Sequence, residues 1–179
     1  MRILLGMVLG IALVMGGVVL YFRLGYAPVA TSAAPMPFEK FMAKMGLHAA
    51  ISKHPPADSP IPADESNLAA GAHIYRESCA MCHGLSGQQP TGIAKGMFPP
   101  PPPLLQGKGV ADDPVGVTYW KVKNGIRLSG MPGFGESLTD QQMWQVSLML
   151  AQRNLPESVR SLLSEPSKDA GEVASRAKR

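Results

Sequence analysis

The chain of 179 residues contains two cysteines, Cys79 and Cys82, and His83 follows the second directly. Thiols at this spacing can each form a thioether with one vinyl edge of a porphyrin. The imidazole that follows then lies under the metal, so the C-x-x-C-H pattern reads as covalent attachment of a c-type haem. The same side chains permit other chemistry. A structural zinc ion wants four ligands, usually from two separated pairs, and the sequence has no second C-x-x-C or H-x-x-x-H pair. A thioredoxin-like dithiol should sit beside a βαβ pattern, which is absent. A disulfide at this spacing would be strained and would leave His83 unexplained.

The second axial position of such an iron has candidates among eleven methionines. Met81 lies between the cysteines and cannot reach the opposite face. Met143 and Met149 fall at helical spacing and read as core. Met97 precedes a proline run and stays open as a candidate. Met131 is best placed, in the glycine-rich loop 126–135 and followed by Pro132, where the backbone can bring a thioether close to a flat ligand. A thioether opposite imidazole favours ferrous iron, raises the potential and closes the metal to substrates. His48 and His54 read as linker or surface residues and His73 as exposed.

The elements that must position these groups follow from periodicity and caps. Leu68, Gly71, Ala72 and Tyr75 repeat at i, i+3, i+4 and i+7, one face of a helix running into Cys79 and capped by Asp64, Ser66 or Asn67. Gly71 costs that helix about 1 kcal/mol against alanine, a cost that a close helix–helix crossing would explain. Residues 84–92 read as loop, and the five prolines 99–103 as a stiff wall beside the haem. Asp112 or Asp113 with Pro114 starts a helix that Asn124-Gly125 stops. Thr139 and Gln142 form a capping box for a last helix carrying Trp144 and ending near Asn154.

Residues 3–22 are an unbroken apolar run framed by Arg2 and Arg23. Twenty residues span about 30 Å, the thickness of a bilayer core. The run is longer than the roughly 7–15 residues of a cleavable signal's apolar region, which favours an uncleaved anchor over residues 1–26. A removed signal cut near Thr31-Ser32-Ala33 is the alternative. Residues 27–63 read as a linker, with 55–63 a proline-rich extended spacer. Within it, Phe38, Phe41, Met42 and Met45 make the stripe of a short amphipathic helix. That stripe can lie on a membrane, cover the haem domain, dock a partner or pack on its own domain. The compact domain is expected over 64–155. The polar tail 156–179 is expected to be mostly flexible, with one turn at Val159 to Leu163. A formal charge of +4 with scattered Lys and Arg argues against nucleic acid as a partner.

The region from Ser66 to Asn154 resembles a class I mono-haem cytochrome c domain. The residues that carry the likeness are Gly71-x-x-x-Tyr75-x-x-x-Cys79, Cys82-His83, Asn124-Gly125-Ile126 leading into Gly130-Met131-Pro132, and Trp144. The resemblance implies an all-α fold, a small cytochrome c-like haem domain, here with an N-terminal transmembrane helix. It implies one covalent haem c with thioethers from Cys79 and Cys82 and axial ligands His83 and Met131. It also implies that Gly71 and Tyr75 meet the 144–148 face of the last helix. The implied role is one-electron transfer in a bacterial respiratory or periplasmic chain rather than enzymatic catalysis. The expected setting is single-pass in the cytoplasmic membrane with the haem domain on the periplasmic face. The expected partners are a redox protein donor and acceptor. Two alternatives stand beside it: a permanent haem subunit of a membrane dehydrogenase or oxidase complex, and a haem enzyme or gas sensor, which Met131 argues against.

Overall fold

The computed structural model describes residues 1–54, 58–106 and 110–164. Pro55 and Pro56 of the expected spacer, and the part of the expected tail beyond Ser164, lie outside the described residues. Among the described residues the chain is all-α, with eight helices and no strand. It divides into two compact units, Met1–Lys44 and Met45–Arg179.

The first unit holds α1, Arg2–Arg23, with an 18-residue stretch of mean hydropathy 2.7 and no buried residue. Its 22 residues reach about 33 Å at 1.5 Å per residue. By length and composition it can cross a membrane or serve as a signal sequence. The helix α2, Glu39–Ser52, begins in this unit and is longer than its apolar stripe suggested. Phe38, Phe41, Met42 and Met45 are all exposed, and the residue that α2 buries is Ile51.

The second unit is organised on α7, Asp140–Ala151, in which every position from Met143 to Leu150 is buried. A short helix buried on all sides must be surrounded by other elements. Here α3, Glu65–Ser78, runs along it, α6, Val115–Asn124, packs on it, and α8, Glu157–Ser164, packs on α3. Local chemistry sets where the two main helices begin. The Asp64 carboxylate accepts the Asn67 N–H at 2.9 Å. At α7, Thr139 Oγ1 accepts the Gln142 N–H at 3.3 Å and Gln142 Oε1 accepts the Thr139 N–H at 2.9 Å, the expected capping box.

At the crossing of α3 and α7, a Cβ on Gly71 would lie 2.3 Å from the Gln145 carbonyl oxygen and 3.0 Å from Met149 Cβ. The close approach expected of Gly71 is therefore real, made against the backbone of Gln145. Trp144 is engaged elsewhere. Its ring stacks on Tyr119 of α6 with centroids 4.0 Å apart and planes 9° apart. The Tyr119 hydroxyl donates to Asp140, whose carboxyl it holds below the usual carboxylate range, and Lys123 reaches the same carboxylate at 3.3 Å. This cluster ties α6 to the start of α7.

The tail expected to be flexible from residue 156 begins instead with α8. Val159 is 0% exposed and Leu163 3% exposed, so α8 lends one face to the core. Val159, Leu162 and Leu163 stand at i, i+3 and i+4, a single short apolar stripe. A helix this short draws its stability from its apolar seat on α3.

Candidate functional site

The C-terminus of α3 delivers Cys79, which also caps the single turn α4, Ala80–His83. Backbone N–H groups of His83 and Gly84 bond back to the carbonyls of Cys79 and Ala80 at 2.9 and 2.8 Å. Gly84 then leaves the turn at φ 76°, a conformation that glycine adopts without a steric cost. One helical turn thus carries Cys79, Cys82 and His83, all half-buried, while Met81 between the cysteines faces outward.

Two hydroxyls pin this turn. Tyr75, fully buried in α3, donates to the Gly84 carbonyl at 2.7 Å. Burial, reinforced by Cys79, pushes its phenol well above the ordinary tyrosine value, so it remains a donor. Thr91 donates to the Met81 carbonyl at 2.7 Å and accepts the Ala94 N–H at 3.1 Å, capping α5, Gly92–Lys95. Replacing Tyr75 by Phe strands a partly buried carbonyl. The cost is about 1 kcal/mol, read as a fall of about 4–8 °C in the melting temperature of the haem-loaded protein.

His83 Nδ1 lies 2.8 Å from the carbonyl oxygen of Pro102. A carbonyl can only accept, so Nδ1 carries the proton and donates it, and Nε2 is the nitrogen left with a free lone pair. Such a bond fixes the tautomer and ring orientation and raises the basicity of a metal-binding imidazole. The proline run therefore does more than form a wall. It aims the acceptor that commits His83 to one tautomer.

Met131 stands on the loop after α6. Gly125, at φ 67°, turns the chain so tightly that its Cβ would lie 2.5 Å from the Gly133 nitrogen and 2.9 Å from the Met131 carbonyl oxygen. Ile126 donates its N–H to that carbonyl at 3.1 Å. The Ser129 hydroxyl donates to the Ile126 carbonyl at 2.7 Å and accepts the Met131 N–H at 3.2 Å. Met131 is half-buried on a loop bonded to itself on both sides. Met97, the other candidate, is half-buried too and lies against Gly130 of the same loop.

Buried surroundings and the neighbouring Cys82 push the Cys79 thiol up to about 12. Dithiol exchange centres need a lowered thiol pKa, so this environment weighs against a redox dithiol. His48, His54 and His73 are exposed, and among the described residues no group of three or more His, Cys, Asp or Glu side chains converges. The donor set of the turn fits a haem: two free thiols and an imidazole with Nε2 available. Sequence reasoning missed the Pro102 carbonyl and the Tyr75 and Thr91 hydroxyls. The only signal for Pro102 was the stiffness of its run, since a backbone carbonyl has no residue type.

A family model described as "Cytochrome C oxidase, cbb3-type, subunit III" matches residues 66–148. Thiosulfate dehydrogenase from Stutzerimonas stutzeri (strain A1501) is 31% identical over 102 residues, 56% of this chain and 32% of its own length. The chain thus spans about a third of that relative. A chain of the Kuenenia stuttgartiensis reducing HAO-like protein complex aligns at 25% identity and a TM-score of 0.45, over 51% of this chain and 46% of that one.

Proposed function

We propose that residues 66–148, which match a cytochrome c family model, act in haem-based electron transfer as a one-electron carrier with one covalent haem c ligated by His83 and Met131. In this reading α1 anchors it in a bacterial cytoplasmic membrane with the domain on the periplasmic face. The observation that supports His83 as a ligand is the 2.8 Å bond from its Nδ1 to the Pro102 carbonyl, which leaves Nε2 available.

When bound, the haem supplies an iron that takes up and returns one electron. The chain's residues attach, orient and close that site. Cys79 and Cys82 would hold the haem as thioethers, each formed by addition of an S–H across a vinyl group, which needs no oxidant. Pro102 keeps the His83 ring from rotating. Gly125, Gly133 and Ser129 hold Met131 in its loop, from which its thioether would favour the ferrous state and close the iron to substrates.

A visible spectrum tests the reading. The expected result is a haem with both vinyls saturated and the weak red charge-transfer band of sulfur–iron ligation. Met131→Ala is expected to lose that band and to lower the reduction potential by on the order of 100 mV. Retention of the band in Met131→Ala would sink the assignment and point to Met97. Rapid carbon monoxide binding by the native ferrous protein would count for a haem enzyme or gas sensor instead.

A permanent haem subunit of a membrane oxidoreductase is the second reading, favoured by a match to an oxidase-subunit family and a relative named as a dehydrogenase. Purification in mild detergent separates the two, because stoichiometric co-purifying subunits belong only to the second.

A further inference from the structure

Met97 follows α5 closely, its N–H bonded to the Ala94 carbonyl at 3.3 Å. Its side chain crosses the surface of Gly130. A Cβ on Gly130 would fall 1.8 Å from Met97 Cε and 3.4 Å from its sulfur, so the methionine fills the space that a side chain at position 130 would need. Gly130 is the residue before Met131. At its other end α5 is capped by Thr91, whose hydroxyl donates to the carbonyl of Met81, between the two cysteines. A continuous path of contacts therefore joins the cysteine turn, α5, Met97 and the loop that carries Met131.

We propose that Met97 is a positioning residue that braces the Met131 loop against α5, and through α5 against the turn that holds His83. The inference rests on the assignment of Met131 as the axial ligand. Met97 acts by bulk, with its methyl and sulfur turned onto Gly130. A shorter side chain lets the loop swing and exposes the metal position more often.

Cyanide binding to the ferric, haem-loaded full chain reads this opening, because cyanide must displace Met131. Met97→Ala is expected to keep the red sulfur–iron band at neutral pH and to bind cyanide about tenfold faster, the equivalent of about 1.4 kcal/mol. Met97→Leu restores the bulk without the sulfur and is expected to stay within about twofold of the unaltered protein. Gly130→Ala, whose methyl displaces that of Met97, is expected to speed binding as well. The double variant should be no faster than the faster single one, because both changes act through one contact. Unaltered cyanide kinetics in Met97→Ala, with the band lost in Met131→Ala, would overturn the brace and leave the ligand assignment standing. Loss of the band in both Met97→Ala and Met97→Leu, with the band kept in Met131→Ala, would make Met97 the ligand and overturn both.

Discussion

A Cys79→Ala, Cys82→Ala double variant is expected to retain no covalent haem and to lose its cooperative thermal transition. The seam of α3, α7 and α8 is well filled, with Ala72, Tyr75, Val146 and Val159 at 0% exposure. Apolar side chains outside that seam are more open. Met81, Ile93 and Leu128 are 59%, 55% and 92% exposed, and Met97, Phe98, Leu104 and Met131 are only half-buried. Small domains bury a modest fraction of their surface, and net stabilities are only about 5–15 kcal/mol. A group bound to the folded state alone can supply a large part of that margin. Removal of both thiols detaches it. The helix α1 has its 22 residues outside this core, so the sensitive readout in detergent is cooperativity of the far-UV circular dichroism melt rather than total helicity. A variant with native helix content, melting cooperatively within about 5 °C of the haem-loaded protein, would refute the expectation.

Gly71→Ala is expected to destabilise the domain although it improves helix propensity. In α3, alanine in place of glycine gains about 1 kcal/mol. The added methyl would stand 2.3 Å from the Gln145 carbonyl oxygen and 2.7 Å from its carbon. Neither atom can move alone, because both belong to the backbone of a helix buried from Met143 to Leu150. The two helices must separate, and overpacking of this kind costs about 1–3 kcal/mol or more. With backbone atoms this close the cost falls at the upper end of that range, giving a net loss of about 2 kcal/mol and a melting temperature lower by about 8–16 °C. An unchanged or higher melting temperature would mean that the helices do not touch at Gly71. The same substitution at Gly46, where nothing lies within 4 Å of the added carbon, is the control and should be neutral or stabilising.

The sequence by itself determined whatever chemistry is local to a few residues. The spacing of Cys79, Cys82 and His83 puts all three on one helical turn, whatever surrounds it. Asp64 and the Thr139–Gln142 box start their helices through bonds spanning three positions. Gly71, costly in an amphipathic helix, signalled a close crossing, and the apolar run before Arg23 signalled a long helix. Tertiary structure decided the partners, because a partner distant in the chain leaves no local pattern. Pro102 lies 19 positions from His83 and acts through a carbonyl that any residue possesses. Trp144 stacks on Tyr119, a ring 25 positions earlier on α6. The octet 157–164 buries Val159 and Leu163 in a helix that packs on α3, a partner about eighty residues away in the chain. Met97 met Gly130 because α5 and the loop after α6 fold to the same place. The cysteine turn names the attachment, and long-range contacts decide how its histidine is held.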